Sequence, residues 1–406
     1  MAAFFWSLGS ELINRTTLLS KPSHPRRLFL FLETQMELVI EHLDDVLPHI
    51  QPDTGIIHSV HKGYSVINYV FSVDETFDTA IARECRGLKF APDGTLIARP
   101  FHKFFNLGEK RPPQDEPWDM GHVILDKLDG SMIHPAIVEG EMVFMTRMGR
   151  SDQAQHAWDK AGPEVKTLSA QMIGAGYTPI FEFTSPDNRI VVAYDAPELT
   201  LLAVRHMRTG AYMPHSEVEQ KGAEHGVAVA GSFGAVEDIA KFWTDARALE
   251  GVEGYVIAFE NGHRIKIKAD AYVLRHKALA GLAYEKNLLA WIATNAVDDV
   301  LPLLTPEAAE FVREYQAQVL DAVSRWEAKI EDFVTQNADL PRKDFALKTK
   351  ESVPARLQSV AFRALDGTPA RTSLMETLER ASGSDTKVEA IRSLFGMTWT
   401  PMATEE

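Results

Sequence analysis

The spacing of apolar residues changes once along this chain of 406 residues, and that change limits the folds it can adopt. From about residue 63 to residue 207, short β-branched and aromatic runs alternate with turn residues, as in residues 64–71, which is typical of strands. Beyond residue 272 apolar residues recur every three or four positions, for example over residues 306–333, which is typical of amphipathic helices. The sequence therefore predicts an α+β fold, in which antiparallel sheets with flanking helices precede an all-helical region.

The same change predicts a domain boundary near residue 280. We expect one domain over residues 36–280 and a helical domain over residues 281–406. Residues 1–35 are basic and contain Ser, Thr and Pro, but glutamates interrupt the acid-poor composition of a transit peptide. Their short apolar run is too short to cross a bilayer. We interpret residues 1–35 as a nonessential extension, either disordered or produced by an upstream start codon.

Turn residues locate two hairpins and a helical stretch within the sheet-rich part. Pro-Asp-Gly at residues 92–94 links residues 87–90 to residues 96–99, and Gly-Glu at residues 140–141 predicts a second hairpin. Residues 151–173 carry apolar residues at helical spacing, and two glycines follow them as a stop signal. We expect helical structure there.

Charge and cysteine content narrow the classes of function. The net charge of −15 argues against nonspecific coating of nucleic acid, because such binding comes from phosphate neutralisation by Lys and Arg. Any contact with nucleic acid must therefore be local. The single cysteine, Cys85, cannot form an intrachain disulfide, which suits a reducing cytoplasm. A small buried residue is the favoured interpretation of Cys85.

The segment Lys127-Leu128-Asp129-Gly130-Ser131 carries the first chemical signal. A lysine two residues before an Asp-Gly turn, with strand-like segments on both sides, can serve as a covalent nucleophile. An ordinary Asp-Gly turn beside a strand-end lysine explains the same pattern. The interpretation therefore depends on other segments.

A second segment places cations in a row. Asn-Gly at residues 261–262 is a strong hairpin signal, and alternation along the following strand puts Arg264, Lys266 and Lys268 on one face. Glu253, at the start of the preceding strand, would place a carboxylate near that row, as a metal-bound polyphosphate needs. An edge strand protected by lysines would look similar.

Two further segments carry polar groups among aromatic residues. Glu182 stands between two phenylalanines, so its side chain is either exposed or directed into a site. In residues 84–87 and 99–107, positive groups are interleaved with aromatic rings, which suits a base stacked on a ring beside a phosphate. Core packing of those rings is an equal alternative.

Taken in order, six segments resemble the nucleotidyltransferase motifs of ATP-dependent RNA ligases. They are Glu-Cys-Arg-Gly (84–87), Lys-Phe-Phe-Asn-Leu (103–107), Lys-Leu-Asp-Gly-Ser (127–131), Phe-Glu-Phe (181–183), Glu-Gly-Tyr-Val (253–256) and Lys-Ile-Lys (266–268). Residues 188–191 and 268–273 narrow the resemblance to the RNA ligase 1 family of T-even bacteriophages. One segment departs from the pattern: Thr-Arg-Met-Gly-Arg-Ser (146–151) stands where a Ser-Lys-Gly-Ser-like segment is expected, and Arg147 would supply its cation.

The resemblance implies a reaction in three steps on a nucleotidyltransferase domain. Lys127 would attack the α-phosphorus of ATP, AMP would pass from this lysyl-AMP to an RNA 5′-phosphate, and a 3′-hydroxyl would displace it. The cations of Lys266, Lys268 and Arg86, with a divalent metal, would favour the uncharged amine of Lys127 and stabilise charge on the phosphates.

The resemblance also assigns roles to individual residues. Glu182 would accept a hydrogen bond from the ATP ribose, Glu253 would act on the metal, and Asp129 would orient the strand end or a metal-bound water. Mg²⁺ is the expected metal, since it binds phosphates through oxygen and keeps its own waters. The catalytic set is Lys127, Asp129, Lys266 and Lys268, and the ATP-binding set is Arg86, Lys103, Phe105, Lys127, Arg147, Glu182, Glu253, Lys266 and Lys268.

Three other interpretations compete with RNA ligation. DNA ligases and mRNA-capping enzymes usually place Arg two residues after Lys-x-Asp-Gly and add a five-stranded OB barrel, whereas Ser131-Met132 and then helices occur here. We therefore expect no OB barrel. The third alternative is a noncatalytic protein that binds RNA ends.

The resemblance suggests tRNA or another broken RNA as the substrate. The basic residues between Arg342 and Arg363 would aid tRNA binding. A separate end-healing kinase and phosphatase would supply 5′-phosphate and 3′-hydroxyl ends. We expect a protein of the cytoplasm, that of the host if it is phage-encoded, without a membrane partner.

Overall fold

The computed structural model describes residues 38–50 and 52–400. The extension expected over residues 1–35 lies outside the described residues. Strands occupy the first part of the described chain. They are β1 (Ile56–His61), β2 (Tyr64–Tyr69), β3 (Leu88–Phe90), β4 (Leu96–Ala98), β5 (Phe105–Asn106), β6 (His122–Lys127), β7 (Ser131–Val138), β8 (Glu141–Met145), β9 (Tyr177–Thr184), β10 (Glu198–His206), β11 (Gly254–Phe259) and β12 (Arg264–Lys268).

Within the described residues the strands form three four-stranded sheets, with orders β1-β2-β3-β4, β10-β9-β7-β8 and β5-β12-β11-β6. All pairings are antiparallel except that of β5 with β12. Both predicted hairpins are confirmed, since β3 pairs with β4 and β7 pairs with β8. The antiparallel sheet class is therefore confirmed.

Helices flank the sheets and make up most of the described chain from Asp270 onward. They are α1 (Ala80–Glu84), α2 (Asp152–Lys160), α3 (Pro163–Gly174), α4 (His215–His225), α5 (Ile239–Arg247), α6 (Asp270–Gly281), α7 (Glu285–Ala293), α8 (Val297–Val300), α9 (Pro306–Asn337), α10 (Arg342–Ser352), α11 (Gln358–Leu365), α12 (Ala370–Ala381) and α13 (Asp385–Phe395).

The helical structure expected over residues 151–173 is confirmed, and two helices occupy this stretch. Ser151 caps α2 with its side chain, and α2 ends at Lys160. Pro163 then begins α3 after Gly162. Proline disfavours helical backbone in the residue before it and lacks an N–H for the preceding turn, so the break falls at Gly162.

The helical region has its own apolar core. The stripe predicted on α9 is confirmed as core packing, since Tyr315, Val319 and Val323 are buried among residues of neighbouring helices. The described helices of this region begin at Asp270, close to the change of apolar spacing predicted at residue 272. No helix in the described part of the chain combines the length and apolarity needed to span a membrane.

A buried cluster of charges joins the first sheet to the second. Glu84, at the end of α1, lies 3.1 Å from Arg99 Nε and 2.6 Å from Arg205 Nη2. Burial alone would raise the pKa of Glu84, but the two guanidiniums outweigh it and hold that pKa well below its usual range. Arg99 follows β4 and Arg205 belongs to β10, so one carboxylate connects elements of both sheets.

Cys85, beside Glu84, is 2% exposed, and its Sγ donates to Ile81 O. Burial, followed by the charge of Glu84, raises the pKa of its thiol to about 12. The interpretation of Cys85 as a small buried residue is confirmed.

We predict that Glu84→Gln lowers the free energy of unfolding by about 3–5 kcal/mol, because it leaves two buried guanidiniums without a counter-charge. Urea denaturation at pH 7 measures the change. Glu41→Gln is the matched control: Glu41 pairs with Arg208 at 2.6 Å, but both side chains are exposed. Its loss should cost at most about 1 kcal/mol. Equal effects of the two substitutions would contradict the proposed importance of the buried cluster.

Candidate active site

Three neighbouring strands place two lysines side by side. Lys127, the last residue of β6, is paired with Gly254 of β11, and Gly254 is paired on its other side with Lys268 of β12. Residues directly paired across antiparallel strands project from the same face. Lys127 and Lys268 therefore stand on one face of the sheet, on either side of a glycine.

Glu253 lies between these two lysines. Its Oε2 is 2.6 Å from Lys127 Nζ and its Oε1 is 2.9 Å from Lys268 Nζ. The side chain of Glu253 is only 4% exposed, so both ion pairs are shielded from bulk water. The sequence predicted a carboxylate near the cationic row, but not that a single carboxylate would bridge both lysines.

Gly254 is required by this geometry. Its φ is +141°, and a Cβ at this position would lie 2.0 Å from the carbonyl oxygen of Ile267. A side chain at residue 254 would therefore force β11 and β12 apart. The close approach of the strands keeps Lys127 and Lys268 within reach of the same carboxylate.

The predicted alternation along β12 is confirmed, since Ile265 and Ile267 pack into the core on the opposite face from Lys266. The edge-strand alternative is wrong, because β12 lies between β5 and β11. The third cation of the row, Arg264, is buried, with its guanidinium 5.2 Å and 4.3 Å from the ring centres of Phe101 and Tyr212. Arg264 nevertheless lines the cavity beside Lys127, whereas Lys266 and Lys268 are not among its lining residues.

The crowding of positive charge in the site is most evident at Lys266. Burial, followed by the cations of Lys127, Lys268, Lys103 and Arg86, lowers its pKa to about 7. At neutral pH this amine therefore changes between its charged and uncharged forms. From the sequence we expected Lys266, Lys268 and Arg86, with a divalent metal, to act in this way on Lys127, which has the Glu253 carboxylate beside it.

Glu182 is directed into the site. It lies on β9 opposite Met132 of β7, while Phe181 and Phe183 are buried in the core on the other face. Its Oε1 accepts a hydrogen bond from the Gly130 N–H at 3.1 Å. Burial raises its pKa to about 8; Lys127 opposes this shift and Glu253 adds to it. The sequence left two positions open for the Glu182 side chain, exposed or directed into a site, and the exposed one is wrong.

Asp129 serves as a junction between chain segments. Its Oδ2 accepts hydrogen bonds from the N–H groups of Val191 and Val192 at 2.8 and 2.7 Å, and its Oδ1 accepts one from the Tyr272 hydroxyl at 2.7 Å. The Asp129 N–H donates to the Tyr194 hydroxyl. Because both carboxylate oxygens contact protein donors, the geometry favours orientation of the strand end over contact with a metal-bound water. No local pattern in the sequence indicated that Tyr194 or Tyr272 would contact Asp129.

The Asp-Gly turn is not a hairpin, since β6 and β7 belong to different sheets. A cavity of about 540 Å³ opens beside it, lined by residues of both sheets. Of the predicted site residues, four line the cavity: Arg86, Lys127, Arg147 and Glu182. Apolar side chains complete the wall, including Phe101, Phe104, Leu125, Met132, Ile190 and Val256. A mostly apolar cavity with a few convergent polar groups is typical of small-molecule sites.

Lys103 and Phe105 do not line this cavity. The Lys103 amine lies 5.4, 5.1 and 5.4 Å from the ring centres of Tyr69, Phe77 and Phe105, which is cation–π geometry. Phe104 lines the cavity instead of Phe105. Side chains alternate along a strand, so two adjacent phenylalanines point to opposite faces. The sequence did not show which of the two faces the cavity.

Arg147 and Arg86 lie at the cavity wall on two different loops. Arg147 Nη1 donates to Asn68 Oδ1 and Tyr69 O at 3.2 and 3.1 Å, and its guanidinium stacks 4.6 Å from the Tyr69 ring centre. Arg86 Nη1 contacts Met132 Sδ at 3.6 Å. The predicted role of Arg147 as a site cation agrees with this position.

The donor set fits one kind of metal. The described residues contain no group of three or more His, Cys, Asp or Glu side chains that would hold an ion by itself. Glu253 supplies one carboxylate beside Lys127. Mg²⁺ bound to substrate phosphates needs only one or two protein carboxylates, since it keeps several waters. Glu253 is therefore the candidate ligand, and an ion there would compete with the two lysines.

Comparison with known proteins identifies the family. The family model described as RNA ligase matches residues 84–272, which begin and end within the motif series. A Thermovibrio ammonificans protein named "Putative RNA ligase" is 33% identical over 267 residues, covering 63% of this chain and 69% of that protein. RNA ligase 1 of bacteriophage TS2126 is 26% identical over 350 residues, covering 79% and 85% of the two chains. This chain belongs to the RNA ligase family.

Solved structures of such enzymes are similar at low identity. An archaeal ATP-dependent RNA ligase aligns with a TM-score of 0.45 and 15% identity, covering 81% of this chain and 76% of that chain.

We predict that Glu182 makes the protein less stable as pH rises. The folded protein keeps the Glu182 proton up to about pH 8, whereas an unfolded chain releases it near pH 4.3. Stability from this group is therefore complete below about pH 4 and is lost as pH rises to 8, by at most about 1.4 kcal/mol per pH unit.

The test compares free energies of unfolding at pH 5 and pH 8 in wild type and Glu182→Gln. The variant should lose less stability than wild type between these two pH values. Glu198→Gln, at the exposed start of β10, is the control and should keep the wild-type difference. Identical pH dependence in wild type and Glu182→Gln would refute the predicted protonation.

Proposed function

We propose that this protein is an ATP-dependent RNA ligase that joins 5′-phosphate and 3′-hydroxyl RNA ends through lysyl-AMP and RNA-adenylate intermediates. The observation that carries the proposal is the pair of lysines, Lys127 and Lys268, held by Glu253 beside a cavity of nucleotide size. Membership of the RNA ligase family supports ATP and RNA as its substrates.

In the first step the Lys127 amine forms a bond to the α-phosphorus of ATP, and the bond from that phosphorus to pyrophosphate breaks. The amine must lose a proton before it attacks. Glu253 holds it in place at 2.6 Å, and Lys266 and Lys268 lie on the same face to stabilise charge on the phosphates. Glu253 would hold a bound Mg²⁺, which would supply neutralisation of phosphate charge.

The remaining site residues are proposed to hold the nucleotide. Glu182 would form a hydrogen bond with the ribose, and its pKa of about 8 lets it act as hydrogen-bond donor or acceptor near neutral pH. Arg86 and Arg147 would contact phosphates from the cavity wall. Lys103, held over the ring of Phe105, would help to lower the pKa of Lys266, while Phe104 would contact the base.

In the later steps AMP passes from Lys127 to the RNA 5′-phosphate, and the 3′-hydroxyl of the second RNA end displaces it. We propose an adenylylation domain that ends near residue 280 and a helical domain in place of the OB barrel of DNA ligases and capping enzymes. The helical character of the described chain from Asp270 onward supports this division. We also propose action in the host cytoplasm, which suits the buried thiol of Cys85.

We predict that ATP labelled at the α-phosphate transfers label to the wild-type protein and that the adduct is acid-labile. Lys127→Ala should abolish the adduct, because no other amine replaces it at the end of β6. Lys62→Ala, at an exposed turn between β1 and β2, is the control and should label normally. Absence of an adduct in the wild type would refute the enzyme and favour a noncatalytic protein that binds RNA ends. Labelling by GTP instead would favour a capping activity.

The substrate is proposed to be broken tRNA, healed by a separate kinase and phosphatase. The basic residues of the helical region divide into two groups. Arg342 pairs with Asp366 at 2.8 Å, and Arg363 pairs with Glu376. Lys343, Lys348, Lys350 and Arg356 are exposed and have no ion pair within the described part of the chain. The second group supports a phosphate-binding surface.

We predict that Lys343→Gln/Lys350→Gln weakens binding and sealing of a nicked tRNA anticodon loop. Each lost phosphate contact should reduce the slope of log affinity against log salt by about 0.7–0.9. Arg342→Gln/Arg363→Gln removes the same charge from residues that are already neutralised, so it should change affinity little. A short linear RNA should be sealed equally by all three proteins. Equal tRNA affinity in wild type and the lysine variant would refute tRNA contact at this surface.

A further inference from the structure

A lysine outside the proposed reaction is completely buried next to the site. Lys89 lies on β3, where it is paired with Val66 of β2 and Ala98 of β4, and its side chain has no exposed surface. Its amine donates to the carbonyl oxygens of Gly87 at 2.7 Å and Arg147 at 3.0 Å. The described residues contain no carboxylate that forms an ion pair with it.

The surroundings of Lys89 favour its uncharged form. Burial lowers its pKa well below the ordinary value, and the nearby cation of Arg147 lowers it further. His134 of β7, a titratable neighbour, is also buried, and burial is the main cause that lowers its pKa to about 3. The two carbonyl acceptors match two of the N–H groups of the Lys89 amine.

The two carbonyls belong to loops that carry site cations. Gly87 follows Arg86 directly, at the entrance to β3 in the first sheet. Arg147 lies in the Thr146–Gly149 turn after β8 of the second sheet, where Thr146 and Gly149 exchange backbone hydrogen bonds. The loops touch, since a Cβ on Gly87 would lie 2.8 Å from the Arg147 carbonyl oxygen. The Lys89 amine therefore donates one hydrogen bond to each of the two loops where they meet.

We propose that Lys89 is a positioning residue, whose amine ties the Gly87 backbone to the Arg147 backbone and so fixes Arg86 and Arg147 around the nucleotide cavity. Full burial prevents Lys89 from touching a substrate itself. A hydrophobic residue would fill the same space with less desolvation, so packing alone does not account for the amine. This inference rests on the proposed use of the cavity for ATP.

The test is single-turnover formation of the lysyl-AMP adduct with α-labelled ATP. Lys89→Met keeps the length of the side chain and removes both hydrogen bonds. We expect the ATP concentration for half-maximal rate to rise about tenfold, because small displacements of binding groups have large effects, while the maximal rate changes less than about twofold. Lys62→Met, at the exposed turn of the same sheet, should behave as wild type.

Two further measurements separate positioning from general damage. In an Arg147→Ala background, Lys89→Met should add less than about a twofold effect, because residues that act through one another are not additive. Gly87→Ala, which pushes directly on the Arg147 carbonyl, should raise the ATP requirement in the same way and should not add to Lys89→Met.

An unchanged ATP requirement in Lys89→Met would overturn the positioning role, as would effects of Lys89→Met and Arg147→Ala that multiply. If Lys89→Met does not fold, Gly87→Ala alone decides by the same criterion. Loss of the adduct in the wild type would instead refute the proposed function itself.

Discussion

One buried carboxylate between two ammonium groups organises this molecule. Glu253 contacts Lys127 and Lys268 at once, and the pairing of three strands around Gly254 makes this possible. Two charges of one sign and one of the other leave the group positive. Such a group is stable in the free protein because each ion has a partner, yet it still attracts an anion. The rest of the site supplies the walls and orientation around this centre.

Local patterns in the sequence predicted much of the fold. Alternation predicted which face of β12 carries Lys266, and turn residues predicted the hairpins after β3 and β7. These features depend on neighbours along the chain, so short stretches contain the necessary information. The motifs predicted the family because each of them is also a short stretch of the chain. The break between α2 and α3 was also readable at Pro163, but helical spacing on both sides concealed it.

Contacts between distant segments were not predictable in this way. Alternation showed that Glu182 leaves the core face of β9, but not that a cavity would receive it. The choice between Phe104 and Phe105 depends on how β5 pairs with β12. The burial of Lys89 depends on the meeting of two sheets, and a lone lysine in a strand gives no sign of it. Each of these outcomes is decided by packing between elements far apart in sequence.

The hydrogen bond between the Tyr272 hydroxyl and Asp129 has a mechanical consequence. Tyr272 belongs to α6, the first helix after the sheets, and Asp129 lies two residues beyond the nucleophile candidate. The same carboxylate also holds the backbone of Val191 and Val192. A shift of α6 therefore strains or breaks a contact at the Asp-Gly turn. The first helix after the sheets is therefore part of the support of the turn that follows the lysine.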